Sequence, residues 1–325
     1  AGFHPLKRFH DLTVCESRPL HLVELLNEKI LLLNAPLLRG DYLGITLFDT
    51  ADVYGAGENE KLLAEALGPV REKIVLATKG GATRDSNGAA TNNGSPDYLT
   101  QACEASLKRL NVDTIDIYYL HRVDPSVPIE DSVGALSQLV KQGKVRTIGL
   151  SEVNPLTLRR AHAVHPISFL QTEYSLACRF PEDDILSACS ELGVAFCAYS
   201  PLGRGLLGGQ LPASGGFAQN DMRSKIPRFD QTNLQANLSV TQRLTSIAEG
   251  LGVTTAQLAL AWVLSNPEVP FAIPGTRSPE RLRQNVRAAD LAVPGYVLDE
   301  LNDLFAPETM RGERHTAAML ARTGL

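Results

Sequence analysis

"ITLFDTADVYGAGENEKLLAEALG", residues 45–68, decides how the chain is read. A short apolar run, "ITLFD", stops at Asp49, a polar turn with glycines at 55 and 57 follows, and a helix-like segment completes the unit. Two acids and a tyrosine, Asp49, Asp52 and Tyr54, stand just where the hydrophobic run ends.

The same order repeats along the chain. Further strands are predicted at "KIVLATK" (73–79), "TIDIYYLH" (114–121), "VRTIGLS" (145–151), "ISFLQT" (167–172), "VAFCAYS" (194–200) and "VPFAIP" (269–274). Helices are predicted over "GENEKLLAEALG", "PDYLTQACEASLKRLN", "IEDSVGALSQLVKQGK", "NPLTLRRAHAVH", "PEDDILSACSELG" and "TTAQLALAWVLSN". In the second of these, Leu99, Cys103, Leu107 and Leu110 recur at helical spacing, with Ser95 before Pro96 as the expected N-cap.

Strands alternating with helices imply parallel pairing through right-handed crossovers. A doubly wound open sheet would be expected to carry a glycine-rich phosphate turn after an early strand, and no GxGxxG occurs. A closed (β/α)8 barrel of the TIM type is therefore the expected fold, as a single domain over residues 1–325. Its missing first strand is sought in "DLTVCES" (11–17), with a helix through "PLHLVELLNEKILLLNAPLLRG", in which "KILLLN" is an alternative strand; residues 1–44 are atypical in lacking a clean period.

Composition narrows the partners. A net charge of −5 and a pI near 5.8, with basic residues scattered, argue against nucleic acid. The five cysteines fit no zinc spacing or complete disulfide framework, so no metal is expected and a reducing cytoplasm fits. No apolar run reaches the roughly 18 residues that span a bilayer, so no membrane association is expected. Oligomeric state has no signature in the sequence, and "ETMRGERHTAAMLARTGL" near the C-terminus carries no readable pattern.

Polar groups recur at successive strand ends: Asp49 with Tyr54 beyond it, Lys79, His121, Ser151, Gln171 and Tyr199. Singly, each has an ordinary explanation as a cap, a surface aromatic or a hydrogen-bonded histidine. In a parallel barrel these ends share one mouth, together with the long loops at 80–97 and 203–229. A phenol titrates near about 10 and a neighbouring ammonium favours its ionised form. Tyr54 with Lys79 is thus a candidate proton donor, Asp49 holding Lys79 charged and His121 able to bond the same oxygen. Asp52 is expected to be a loop or cap residue.

"FDTADVYGAGENEKLLAEAL", "KIVLATKGG", "DIYYLHRVDP", "VRTIGLSEV", "QTEYSLACR", "AYSPLGRGLLGG" and "IPGTRSPERLRQN" together resemble the aldo-keto reductase superfamily over about residues 45 to 305, in the branch of perakine reductase or auxin-induced-protein type. The resemblance implies a (β/α)8 barrel that passes a hydride from NADPH to an aldehyde or ketone, reversibly with NADP+ and the alcohol. By the same resemblance Tyr54 is the general acid, Asp49 and Lys79 tune it, and His121 orients the carbonyl oxygen. Ser151 and Gln171 would hold the nicotinamide carboxamide and Tyr199 would stack on its ring, with Ser200, Leu202, Gly203 and Arg204 opening the loop over the pyrophosphate. Arg277, Ser278 and Arg281 would grip the adenosine 2′-phosphate, and Gln284 and Asn285 would face adenine. Two departures from the family stand out: Glu152 follows Ser151 where the best-known members have asparagine, and Gly275 stands where many have lysine.

The implied partner is a small carbonyl or alcohol substrate. A regulatory protein using the cofactor as a redox sensor with slow turnover is the alternative. A barrel hydrolase using Asp49 and His121 would leave Tyr199 and "PGTRSPER" without a purpose.

Overall fold

A computed structural model describes residues 45–86, 88–209, 211, 217–218 and 221–325. Each of the seven expected strands is present: β1 (Leu47–Asp49), β2 (Val75–Gly80), β5 (Ile115–Leu120), β6 (Val145–Ser151), β7 (Ile167–Glu173), β8 (Ala195–Tyr199) and β9 (Phe271–Ile273). They form one parallel sheet in the order β1-β2-β5-β6-β7-β8-β9. The first strand expected at 11–17, its helix, and Cys15 lie outside the described residues.

Both faces of the sheet are apolar, which is why the strands read as near-continuous hydrophobic runs. Alternate residues point outward, among them Leu76, Tyr118, Leu120, Ile148, Leu150, Leu170 and Phe196, and pack with helix residues such as Leu63, Leu99, Val133, Leu158 and Ile185. The others point inward: Val75, Ala77, Ile117, Tyr119, Phe169 and Ala195 form a second, inner cluster. Tyr119 fits because residue 149 is glycine, where an added Cβ would sit 2.3 Å from its ring.

Two observations show the sheet curled upon itself. Leu47 and Phe271, on the two end strands of the order, pack against the same inner cluster. Gln171 on β7 donates to Asp49 on β1 at 2.9 Å, although four strand spacings of an open sheet would part them by roughly 19 Å. The architecture is a nearly closed parallel barrel of the (β/α)8 class.

The expected helices surround it as α1 (Glu58–Leu67), α2 (Pro96–Leu110), α3 (Ile129–Lys141), α4 (Pro155–Val164), α5 (Ile185–Leu192) and α7 (Thr255–Ser265). Ser95 occupies the N-cap of α2 but makes no side-chain cap bond, because its Oγ donates to Asn93 Oδ1 at 2.7 Å instead. Three further helices lie beyond those predicted as crossovers: α6 (Gln231–Gly250), capped by Asp230, α8 (Pro279–Arg287), which starts within "SPERL", and α9 (Gly295–Leu304). The 80–97 loop contains a hairpin, β3 (Ala82–Arg84) with β4 (Ala90–Asn92).

A C-terminal tail lies across the mouth. Gly324 N donates to Glu152 O at 2.7 Å and Asn154 N to Gly324 O at 2.8 Å, while Arg322 Nη2 donates to Thr91 O at 2.8 Å. The tail thereby joins the end of β6 to the β3/β4 hairpin.

Candidate active site

Lys79, the penultimate residue of β2, has its side chain 1% exposed inside the barrel. A buried ammonium needs partners, and it has two: Asp49 Oδ2, in a direct ion pair, and Thr50 O at 2.8 Å. Burial works against its charge, but the Asp49 carboxylate and then Tyr54 outweigh burial, and Lys79 titrates above the ordinary lysine value. The other Asp49 oxygen accepts from Gln171 Nε2 at 2.9 Å. Gln171 is therefore tied to the acid in this structure.

Tyr54 opens the turn that follows β1. Gly55, Ala56 and Gly57 all have positive φ there, 58°, 54° and 92°, which curls the chain sharply enough to return the ring over the mouth. Lys79 Nζ lies 5.3 Å from the ring centroid, and the ring meets His121 edge-on at 5.8 Å. Thus Asp49, Lys79, Tyr54 and His121 are brought together.

Asp52 lies in the turn after β1, the loop place expected of it, and makes no helix cap. It faces Tyr98 Oη at 3.5 Å, and its Oδ1 has no hydrogen-bond partner among the described residues. Burial, then the nearby Glu60, raise its pKa to about 7. Glu60 itself is satisfied by Thr78 Oγ1 and Arg109 Nε, each at 2.6 Å.

Ser151, at the end of β6, is buried and accepts from Arg122 Nη1 at 3.1 Å. Tyr199 ends β8 half-buried, its hydroxyl 3.4 Å from both Arg314 Nη1 and His315 Nε2. Strained backbone gathers at these strand ends: Glu152, Ser200 and Arg204 have φ of 58°, 49° and 57°, unusual for residues with side chains.

Glu152 finds its role here. Its two oxygens accept from Arg314 Nη1 and Nη2 at 3.2 and 2.6 Å, and Oε1 also accepts from Glu173 N at 3.0 Å. Arg314 continues to Glu173 Oε2 at 3.2 Å, which Arg204 Nη2 reaches at 3.0 Å. Burial would neutralise Glu152, but Arg314 and then Arg122 prevail and hold it below the usual carboxylate range. Arg204 is therefore buried in an ion pair with Glu173, its guanidinium turned inward, while Leu202 packs at the core edge and Gly203 is buried.

A separate basic region forms where β9 meets α8. Ser278 caps the helix by accepting from Arg281 N at 3.3 Å, Arg277 and Arg281 are exposed, and Gln284 and Asn285 lie one turn further on, Asn285 buried. Gly275 is exposed, and a Cβ built there meets nothing within 4 Å, so space does not demand glycine.

Arg122, Glu173, Arg314 and His315 were not singled out from the sequence. Arg122 was visible beside His121 in "LHRVDP", whereas Arg314 and His315 sat in a patternless segment. Among the described residues no group of three histidines, cysteines or carboxylates could hold a metal ion, and no single helix is long and apolar enough to cross a membrane. A cleft of about 490 Å³ is lined by Tyr174, Glu182, Trp262 and Asn302 among others, and by none of the candidate site residues.

Known proteins match this chain along most of its length. The profile of the Aldo/keto reductase family matches residues 42–305. A probable aldo-keto reductase 1 of Glycine max is 48% identical over 273 residues, covering 84% of this chain and 79% of that protein. Among solved structures, a glycerol dehydrogenase from Gluconobacter oxydans superposes with a TM-score of 0.77 at 29% identity, over 83% of this chain and 84% of the other. An aldo/keto reductase from Klebsiella pneumoniae in complex with NADP and acetate gives 0.63 at 29% identity, over 84% of each.

Proposed function

The chain belongs to the aldo/keto reductase family, and on that premise we propose that it reduces aldehydes and ketones to alcohols with NADPH, Tyr54 protonating the carbonyl oxygen. Family membership makes it an oxidoreductase with a nicotinamide cofactor and a small carbonyl substrate; the donor NADPH, the reversible direction and the residue roles are our reading. The observation that carries it is Lys79, buried between the Asp49 carboxylate and the face of Tyr54, with His121 edge-on to the same ring.

The residues fit the cofactor. Ser151 and Gln171 are buried polar groups at neighbouring strand ends, Tyr199 is half-exposed beside them, and α8 begins between Arg277 and Arg281. Ser151 and Gln171 would hold the carboxamide, Tyr199 the ring, Ser200, Leu202, Gly203 and Arg204 the pyrophosphate loop, Gly275, Arg277, Ser278 and Arg281 the 2′-phosphate, and Gln284 and Asn285 adenine. The bound cofactor supplies a hydride.

The chain's own work is on the proton. Lys79 stays charged because Asp49 compensates it, and that charge favours the Tyr54 oxygen giving up its proton as the substrate oxygen becomes basic. His121 orients that oxygen. Apolar barrel walls below, from Tyr119, Phe169 and Ala195, exclude water and strengthen these interactions. Residues 1–325 are read as one reductase unit, supported by bonds from the tail to β6 and to the hairpin. A cytoplasmic setting is supported by four free, buried thiols, Cys103, Cys178, Cys189 and Cys197.

The test is Tyr54→Phe. Turnover of a simple aldehyde should fall by about three orders of magnitude, while the NADPH dissociation constant, read by fluorescence quenching, stays within about twofold. Turnover like the wild type would remove Tyr54 from the role.

A further inference from the structure

Three arginines stand on the segments that adjoin His121: the β5 end, the β3/β4 hairpin and the tail. Arg122 follows that histidine directly, and its Nη1 donates to His121 O and to Ser151 Oγ, each at 3.1 Å. Arg322 comes from the tail: its Nε and Nη2 donate to Asn92 Oδ1 at 3.1 and 2.8 Å. Asn92 Nδ2 in turn donates to Val123 O at 2.7 Å, which ties Arg322 to the chain just past Arg122. Arg84 stands on β3 opposite Ala90, one step from the Thr83–Thr91 pair, and its Nη1 donates to Gly88 O at 3.2 Å. Hydrogen bonds thus join hairpin, β5 end and tail, and the three arginines lie near enough for Arg122 and Arg84 to act on Arg322.

None of the three is ion-paired with a carboxylate among the described residues. Arg122 and Arg322 are half-buried and Arg84 is exposed, so the group is accessible from outside. Their charges act on one another: partial burial, then Arg122 and Arg84, hold Arg322 below the ordinary arginine range. Glu152 also feels Arg122, but both its oxygens are already bound by Arg314. Gathering like charges costs free energy, which hydrogen bonds to Ser151, Asn92, Thr91 and Gly88 and the field of Glu152 offset only in part. Partly desolvated guanidinium forks are suited to carboxylate and phosphate oxygens.

We propose that Arg84, Arg122 and Arg322 form a specificity site for an anionic group, carboxylate or phosphate ester, carried on the same molecule as the reducible carbonyl. The inference rests on the carbonyl-reductase reading. The cofactor's 2′-phosphate is assigned there to Arg277 and Arg281, which leaves these three for the substrate.

The experiment compares substrates that differ in charge: 4-carboxybenzaldehyde against methyl 4-formylbenzoate, and glyceraldehyde 3-phosphate against glyceraldehyde, each with NADPH. The anionic member of at least one pair should have a kcat/KM about tenfold higher, carried mainly by KM, and the responding pair identifies the anion. That ratio should fall several-fold in Arg84→Ala, be largely kept in Arg84→Lys, and shrink at about 0.5 M salt. Equal kcat/KM within both pairs overturns the proposal and leaves the reductase reading standing. If no aldehyde is reduced, the reductase reading fails, and calorimetric titration with terephthalate and with glycerol 3-phosphate, which needs no cofactor, judges the anion site. Saturable binding of either, weakened about tenfold by Arg84→Ala, supports it, and no binding of both overturns it.

Discussion

Gln171 donates from Nε2 to Asp49 Oδ1 across the barrel, 2.9 Å away, while the other Asp49 oxygen neutralises Lys79. One carboxylate therefore serves both the buried ammonium and the amide proposed to hold the cofactor. In Asp49→Asn the ammonium loses its counter-charge, which should cost about 3 kcal/mol or more of stability at neutral pH and most of the turnover. The pH dependence carries a definite sign. Lys79 lies above its unfolded value in the wild type, so its stabilisation is complete below pH 10.5 and is lost only as pH rises through the folded pKa. In the variant the first-ranked opponent of burial is gone, the unfolded chain binds the proton more tightly, and stability should climb between pH 7 and 10. Urea unfolding at pH 7 and pH 9 checks this; equal slopes for both proteins would refute it.

The basic region at α8 makes a cofactor prediction. Arg281→Ala should weaken NADPH about tenfold while leaving NADH nearly unaffected. Gly275→Lys places a second cation where a side chain has open space, and should tighten NADPH several-fold. Parallel fluorescence titrations with both cofactors decide it. Equal effects on the two would put the phosphate contact elsewhere.

Asp52 gives a stability prediction. Its folded pKa, about 7, lies above the ordinary 3.8, so the unfolded chain binds fewer protons and stability declines as pH rises from about 4 through 7. Asp52→Asn cannot ionise and escapes that decline. Its gain over the wild type should be larger at pH 8 than at pH 5 by roughly 2 kcal/mol, read as a difference in unfolding free energy. A gain independent of pH would mean that Asp52 is not the titrating group.

Seven strands were legible because a parallel barrel buries both strand faces, which leaves compact apolar runs in the sequence. Asp49, Lys79, His121, Ser151, Gln171 and Tyr199 could be found because each ends one of those runs. The β3/β4 hairpin could not, since its Thr83–Thr91 pairing is a cross-strand property of short polar segments. Helix α6 was obscured by polar residues between its buried positions Leu234, Thr241, Leu244 and Ala248. Arg314 was invisible for a different reason. Its meaning comes from Glu152 and Glu173, distant carboxylates that only the folded chain brings near.

Glu152 and Arg314 should behave as a coupled pair. Arg314→Met leaves Glu152 without its bidentate partner and should cost about 3–5 kcal/mol. Glu152→Gln with Arg314→Met should cost clearly less than the two single changes added together. A double-mutant cycle in urea measures the difference, and strict additivity would refute the coupling. Since Glu152 is held below its ordinary pKa, its contribution is full above pH 4.5 and fades as pH falls through the folded value.

The separation of that pair also bears on how the chain reaches its native state. Arg314 follows Glu152 by 162 residues, so during synthesis the end of β6 emerges long before its counter-charge. Until then, β6 and β7 bring two acids together without this cation, and docking the tail means closing a very long loop. Slow, late locking of the mouth around an earlier-formed wall of strands is the expected order of events, with Tyr199 gaining its arginine and histidine neighbours last.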